Sequence, residues 1–371
     1  MSIRRLSTLA LALALEFGAA FAAPANAASP EAHYTLADFD KVPKIDAHMH
    51  LHNPQATFVE AARARRFKVL TINVDYPDFP PLDEQFRVAV ALHTVFPSTV
   101  AFAGTFPVAD FESPGWVERT ERRIDAAMAA GAVGIKVWKN VGMSQRDAQG
   151  KLVMLDDPRL KPVFDYMEAK GITLLDHQGE PYNCWLPLDK MSVNNDREYF
   201  KAHPQYHMFL HPQMPRWEDQ MAARDRLLDA HPKLHFVGMH MASLERSVDE
   251  LAAFLDRYPG ATVDIAARIG QIQAQSQQDR ERVRRFFVKY QDRLLYGSDI
   301  EQEPRQPGAE MARETEKAWR EQWRYLTSAD TLEVADLDKP VQGLALPRGV
   351  IDKLYHLNAE RTFPGAWSPT P

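Results

Sequence analysis

Apolar residues fall into two regimes along this chain. In one, short runs rich in Val, Ile, Leu and Phe end in turn residues; in the other, apolar positions recur every three or four residues. The short runs are Lys44–His50, Phe67–Tyr76, Thr99–Val108 and Ala132–Asn140, then Ile172–Gln178, His235–Met241, Ala261–Arg268 and Arg293–Ile300. Such runs predict buried parallel strands. Between them lie helical stripes: Leu160, Val163, Phe164 and Met167; Leu244, Val248, Leu251 and Leu255; Val283, Phe286, Phe287 and Tyr290. This is the spacing of helices laid on a sheet. Helices also stop where Lys170-Gly171 and Tyr258-Pro259-Gly260 lead into the next run. Strict strand–helix alternation gives a parallel sheet. Eight units favour a closed one, because eight strands leave an interior that side chains can fill. No Gly-x-Gly-x-x-Gly follows an early strand, which removes the main sign of an open dinucleotide-binding sheet. The expected fold class is α/β, a (β/α)8 (TIM) barrel.

A barrel of this kind uses roughly 250 residues, so extra segments are expected. They are Pro181–Arg216 after strand five and Glu301–Pro347 after strand eight, both at strand carboxyl ends, where loops shape a pocket. The first thirty residues differ from the rest. Arg4 and Arg5 precede an apolar stretch broken by Glu16 and Gly18, which ends at Ala25-Asn26-Ala27. That order predicts a cleaved signal peptide over residues 1–27, and hence export, with the periplasm as the expected compartment. The stretch falls short of a bilayer span of about 20 residues. The expected mature chain, residues 28–371, is a single barrel domain carrying a formal charge of −7, against −6 for the whole sequence. An acidic chain without basic clusters excludes nucleic acid as the expected partner. A small molecule remains, with no membrane partner once the signal is removed; association into oligomers stays open. One cysteine, Cys184, rules out an internal disulfide framework and reads as a small buried apolar residue.

The candidate chemistry sits at strand ends. His48-x-His50 places two imidazoles on one side of the first strand. His177 ends strand five, His240 strand six and Asp299 strand eight. A barrel brings strand carboxyl ends together at one face, so residues far apart in sequence converge there. His48, His50, His177 and Asp299 form a set that holds one divalent ion and leaves a position for water. Single residues of this kind would read as polar caps on barrel strands; four at matching ends point to a metal. His52 shares the parity of the pair but is assigned to the following loop. Asp264 and Arg268 share a parity on strand seven. They read equally as a salt bridge at the rim or as an arginine placed to grip a substrate carboxylate. Glu180, Tyr182 and Trp185 are candidates for the pocket wall. His203, His207 and His211 would stack on one helix face, but Pro204 and Pro212 bracket them, so an insertion surface is expected.

These residues resemble the amidohydrolase superfamily, in particular its amidohydrolase-related branch. The likeness is carried by His48-x-His50, Gly134-Ile135-Lys136-Val137-Trp138 and Asp176-His177-Gln178-Gly179-Glu180-Pro181. Gly238-Met239-His240, Tyr296-Gly297-Ser298-Asp299 and Asn358-Ala359-Glu360-Arg361 complete it. The resemblance implies metal binding by the first-strand pair, the fifth-strand histidine and the eighth-strand aspartate. It also implies that Lys136 either becomes a carboxylated bridge between two metals, with His177 and His240 holding the second, or stays a cation facing substrate while His240 stays unliganded. The branch favours one ion, with zinc leading and manganese or iron not separable by sequence.

The expected activity is hydrolysis of a small amide, lactone or ester by a metal-activated water. Asp299 would ligate and take the proton, and His240 would stabilise or protonate the oxyanion. The alternatives are a metal-dependent non-oxidative decarboxylase of an aromatic or unsaturated acid, and a non-catalytic exported binding protein on a decayed barrel.

Overall fold

The computed structural model describes residues 32–368; the expected signal peptide lies outside them. Nine strands form one parallel sheet: β1 (Lys44–Leu51), β2 (Phe67–Ile72), β3 (Val100–Thr105), β4 (Ile135–Val137), β5 (Leu174–Asp176), β6 (Phe236–Gly238), β7 (Thr262–Asp264), β8 (Leu294–Leu295) and β9 (Ile300–Gln302). Their order is β8-β7-β6-β5-β4-β3-β2-β1-β9. The last two are pieces of one stave: the chain leaves β7 at β8 and, four residues on, pairs with β1 through β9. Two bonds join them across the seam, Ala47 N–H to Tyr296 O at 2.9 Å and Asp299 N–H to His48 O at 2.8 Å. The sheet is therefore a closed barrel of eight staves, as the alternation predicts.

Alternate strand residues fill the inside. Ile45, Ala47, Leu70, Ile72, Ala101, Ala103, Leu175, Val237 and Leu295 form the interior cluster. Phe363 and Trp367 pack with it, and Trp367 donates its indole N–H to Val69 O. The opposite parity, with Val69, Phe102, Ile135, Leu174, Val263 and Tyr296, packs beneath the helices. The helical stripes fall on Lys161–Lys170, Val248–Arg257 and Ile269–Lys289, except that Leu160 and Tyr290 cap their helices and Leu244 lies in the turn before its own.

β1 departs from simple alternation. Its register against β2 moves from Asp46↔Val69 to Met49↔Thr71, so three steps on β1 match two on β2. This bulge inserts one residue and re-aims the side chains after it. Ile45 and Ala47 face inward before it; His48 and His50 face inward beyond it. Asp46, left facing outward, accepts hydrogen bonds from Ser298 N (2.9 Å) and Trp319 Nε1 (2.8 Å) and is fully buried. The metal-binding parity of the first strand thus depends on the bulge.

The two extra segments do different things. The segment after β5 is a set of short turns around one helix, Asn194–Ala202, above the barrel mouth. The segment after strand eight does not shape a pocket beyond its first residues. Its helix Gly308–Thr327 joins the outer layer, with Trp319 stacked on Phe67 at 3.7 Å between ring centres and Trp323 buried beside it. Periodicity wins there, since an amphipathic helix buries its stripe on the nearest sheet face. Among the described residues, no helix is long and apolar enough to cross a membrane.

Candidate metal centre

The strand ends bring the sequence-selected histidines together. Ligand atoms of His48, His240 and Asp299 lie within 4.8 Å of one another. His50 joins them through Asp299, whose Oδ1 stands 3.1 Å from His48 Nε2 and 3.2 Å from His50 Nε2. His177 stands one ring further, its centroid 4.1 Å from that of His240 and its buried Nε2 without a hydrogen-bond partner. His48, His50, Lys136, His177 and Asp299 line a cavity of about 180 Å³. The compact group thus includes His240, which the sequence left open between a second-metal ligand and an acid/base, and leaves His177 at its edge.

The ring protons decide what this group can do. His48 Nδ1 lies 2.8 Å from Asp264 Oδ2, His50 Nδ1 2.8 Å from Ile72 O, and His240 Nδ1 2.9 Å from Ala266 O. Each of those oxygens only accepts, so in the rings of His48 and His240, which burial keeps neutral, the single hydrogen resides on Nδ1. Burial, the largest influence, lowers the imidazole pKa of His48 and pushes those of His177 and His240 well below the ordinary value. The Nε2 lone pair of His48, buried and without a hydrogen-bond partner, therefore faces Asp299 Oδ1 at 3.1 Å, and His50 Nε2 meets the same oxygen at 3.2 Å. Burial alone would raise Asp299. Its contacts with His48 and His50 and the nearby Lys136 ammonium outweigh it and hold the carboxyl well below the usual carboxylate range. Converging lone pairs and an ionised carboxylate repel unless a cation sits among them, and neutral imidazole plus carboxylate is a donor set for a divalent ion. The residues fit the metal that their pattern predicts.

The same proton count revises one role. His240 was expected to donate to an oxyanion, but its one ring proton is committed to Ala266 O, so Nε2 is left as a ligand or acceptor. Backbone geometry holds it there: His240, Met241, Ala242 and Ser243 all have positive φ, between 52° and 60°, and Asp299 has φ 65°. Left-handed conformations in non-glycine residues persist only where the surroundings fix them, and here they cluster on site residues.

Lys136 extends from β4 into the cavity, and burial lowers its ammonium to about 8. No sequence feature foretold that shift. Beside it, burial raises the Asp176 carboxyl to about 7, and neither of its oxygens has a hydrogen-bond partner. Arg268 does not form the expected salt bridge with Asp264. Asp264 is engaged by His48 and by the backbone N–H of His240 (2.6 Å), and Arg268 donates Nη1 to Ala267 O with its buried Nε unpartnered. It does not line the metal cavity. Glu180 pairs with Lys139 at 2.5 Å and lines a neighbouring cavity. Tyr182 packs against Trp217 and under the Arg246 guanidinium, and Trp185 donates to Pro215 O; both serve loop packing away from the metal cavity. His203, His207 and His211 do not share a helix, which ends at Ala202; their rings lie against the carbonyls of Tyr199, Leu186 and Pro204. Cys184 is buried, and burial pushes its thiol up.

Sequence reasoning missed three contributors. Asp264 orients His48; its inward parity at the end of β7 was visible, but it was paired with Arg268. Glu301, next to β9's first residue, lies 3.4 Å from His52 Nδ1 and lines the metal cavity. Phe79 packs edge-on against both His50 and His52, at 5.1 and 4.5 Å between ring centres.

Comparison with known proteins gives a consistent picture. No curated protein sequence matches the chain. Among solved structures, an uncharacterized TIM-barrel protein from Bordetella bronchiseptica superposes with a TM-score of 0.51 at 14% identity, covering 88% of this chain and 99% of that one. A 2,6-dihydroxybenzoate decarboxylase (TM-score 0.48, 15% identity, 87% and 98% covered) is also found. So is an L-hydantoinase from Arthrobacter aurescens (0.45, 13%, 87% and 71%). The profile described as amidohydrolase matches residues 45–365, from the bulged first strand to just past Phe363. A match of that extent, over a closed barrel with this histidine–aspartate cluster at its mouth, makes the chain a member of the amidohydrolase family, in its amidohydrolase-related branch.

Proposed function

We propose that the protein is a metal-dependent hydrolase acting on an amide, lactone or ester. The observation that carries the reading is Asp299: an ionised carboxylate, placed 3.1 and 3.2 Å from the Nε2 atoms of His48 and His50, at the wall of the cavity that all three line. His48, His50, His240 and Asp299 would hold one divalent ion, with His177 beside them; zinc is the first choice for such a nitrogen-rich set. When bound, the ion supplies Lewis acidity, which polarises a carbonyl and acidifies water.

The chain's own residues do the rest. Asp299 accepts the proton of the attacking water on the carboxylate oxygen not directed at the imidazoles, then returns it to the leaving group. Lys136 brings positive charge to the cavity wall opposite and stabilises the oxyanion, the part that His240 cannot play with its proton on Nδ1. Asp264 keeps His48 in the required tautomer. Asp299→Asn should lower turnover at least about 10³-fold, within the range of acid–base catalysis. Residual activity above a tenth of the parent, at equal metal content, would remove Asp299 from this role.

A second reading, non-oxidative decarboxylation, is favoured by one observation: the Lys136 ammonium lines the cavity and would pair with a substrate carboxylate. Carbon dioxide release without water uptake, followed in isotopically labelled water, separates the two. Export to the periplasm remains part of the proposal on the strength of the N-terminal pattern.

A further inference from the structure

The metal cavity is too small for a whole substrate of ordinary size. At about 180 Å³ it falls below the roughly 300–1,000 Å³ typical of small-molecule sites. A second cavity of about 410 Å³ adjoins it and shares Tyr76, Trp138 and Lys139 as walls. Its remaining apolar lining comes largely from the segment after β5: Tyr199, Tyr206, Met208 and Met214.

The two chambers are joined by an unbroken aromatic wall. His50 meets Phe79 at 5.1 Å, Phe79 meets Tyr76 at 5.1 Å, and Tyr76 meets Trp138 at 4.5 Å between ring centres. The path leads from a proposed ligand to the outer chamber through ring-to-ring contacts alone. Lys139 stands at the neck, its ammonium 5.5 Å from the Trp138 ring and paired with Glu180 on the outer side. Opposite, Tyr199 and Tyr206 remain 41% and 43% exposed, although the same segment buries Phe200 and Met208 in its own small core. Aromatic side chains left partly open on a chamber wall, beside a small core that packs their neighbours, are placed for a ligand.

We propose that the substrate has two parts: a compact polar head that reacts at the metal centre, and a larger aromatic or long apolar body, remote from the reacting bond, that seats in the outer chamber between the Tyr76–Trp138 wall and Tyr199 and Tyr206. The proposal rests on the metal-centre reading only for where the head binds; it holds for a hydrolase and for a decarboxylase alike. It also narrows the expectation of a small carbonyl compound, since the body outweighs the head.

The test uses unreactive carboxylates, so that it is independent of the reaction class. Acetate, 3-phenylpropanoate and 5-phenylpentanoate share a head and differ in the reach of the apolar end. Titration calorimetry on the metal-loaded protein should show affinity rising at least about tenfold from the first to the last, equivalent to about 1.4 kcal/mol. In Tyr199→Ser/Tyr206→Ser, both changes being at exposed side chains, the gain should shrink to less than about threefold, or about 0.7 kcal/mol. Equal affinities along the series, a gain that survives in the double variant, or no binding by any of the three would overturn it. Sedimentation of the same proteins covers the competing occupant: a dimer lost in the variant, with the affinity gain intact, assigns this face to a second copy of the chain and also overturns the proposal. Failure of the hydrolase reading shows elsewhere, as turnover that is absent or indifferent to Asp299→Asn while the affinity gradient stands.

Discussion

Replacing Asp264 by Asn should loosen the metal without loosening the fold. The carboxylate is fully buried and accepts three hydrogen bonds: Oδ1 from His240 N at 2.6 Å and Ala266 N at 3.2 Å, Oδ2 from His48 Nδ1 at 2.8 Å. An amide has one oxygen. The two backbone donors cannot change sign, so they retain it, and the new NH2 group then faces the protonated Nδ1 of His48. The ring relieves that clash by moving its proton to Nε2, where it points at Asp299 Oδ1, 3.1 Å away. One ligand lone pair is lost while every buried polar atom keeps a partner. Loss of an outer partner of this type costs about 10–100-fold in metal affinity, or about 1.4–2.7 kcal/mol. The metal-free fold exchanges one buried bond for another and should change by no more than about 1 kcal/mol. Zinc titration against a competing chelator reads the first quantity and urea unfolding of the metal-free protein the second. A folded variant that binds zinc within threefold of the parent would refute the tautomer argument.

Elemental analysis should find about one tightly bound metal per chain, the count of a single catalytic site, and Lys136→Ala should leave it unchanged; two equivalents falling to one in the variant would restore the lysine bridge. Gly297→Ala should lower both stability and metal affinity. A Cβ there would stand 2.8 Å from the Cβ of His48 and 3.1 Å from that of Ala266, and such overpacking costs about 1–3 kcal/mol. Unchanged unfolding free energy would show that the backbone yields freely. Lys44 is buried against Phe39 and Phe67, and burial lowers its ammonium from 10.5 to about 7. Between those two values the folded chain holds fewer protons than the unfolded one, so this residue's contribution makes stability rise with pH across that window. The difference in unfolding free energy between pH 7 and pH 10 should therefore be smaller in Lys44→Met than in the parent, and equal differences would count against it.

Much of this was legible in the sequence because the signals were local and repeated. Runs apolar on both parities marked every stave, although the last splits in two where Gly297 and Ser298 turn past β1. The spacing of Trp319 and Trp323 marked a buried helix face, but not that Trp319 would tie down Asp46. The parity of the first strand came out right for an incomplete reason. Counted straight from Ile45, an alternation of two would turn His48 and His50 away from the axis; the bulge after Asp46 restores them, and no residue in the run announces it. Asp264 and Arg268 were both noticed and wrongly coupled, since four-residue spacing on a strand says nothing about a turn that begins at Ala266. His240's tautomer depends on a carbonyl from strand seven, and the lowered Lys136 on burial from all sides. Such effects are long-range, and single-sequence patterns do not hold them.

The seam of the barrel carries a consequence for how the molecule is made. His48 and His50 lie on the first stave, and Asp299 follows β8 on the last, bonded to His48 through its own backbone. During synthesis about 250 residues separate their emergence. Until the eighth stave arrives, the two histidines lack Asp299 beside their Nε2 atoms and β1 has a bare edge. The ion can therefore be captured firmly only by a chain whose ends have met, and once captured it acts as a clasp on the joint. Metal content in a population of newly made chains would then count finished barrels, and stripping the ion should first quicken amide hydrogen exchange along β1 and β9, leaving β3 and β4 on the far side of the ring protected.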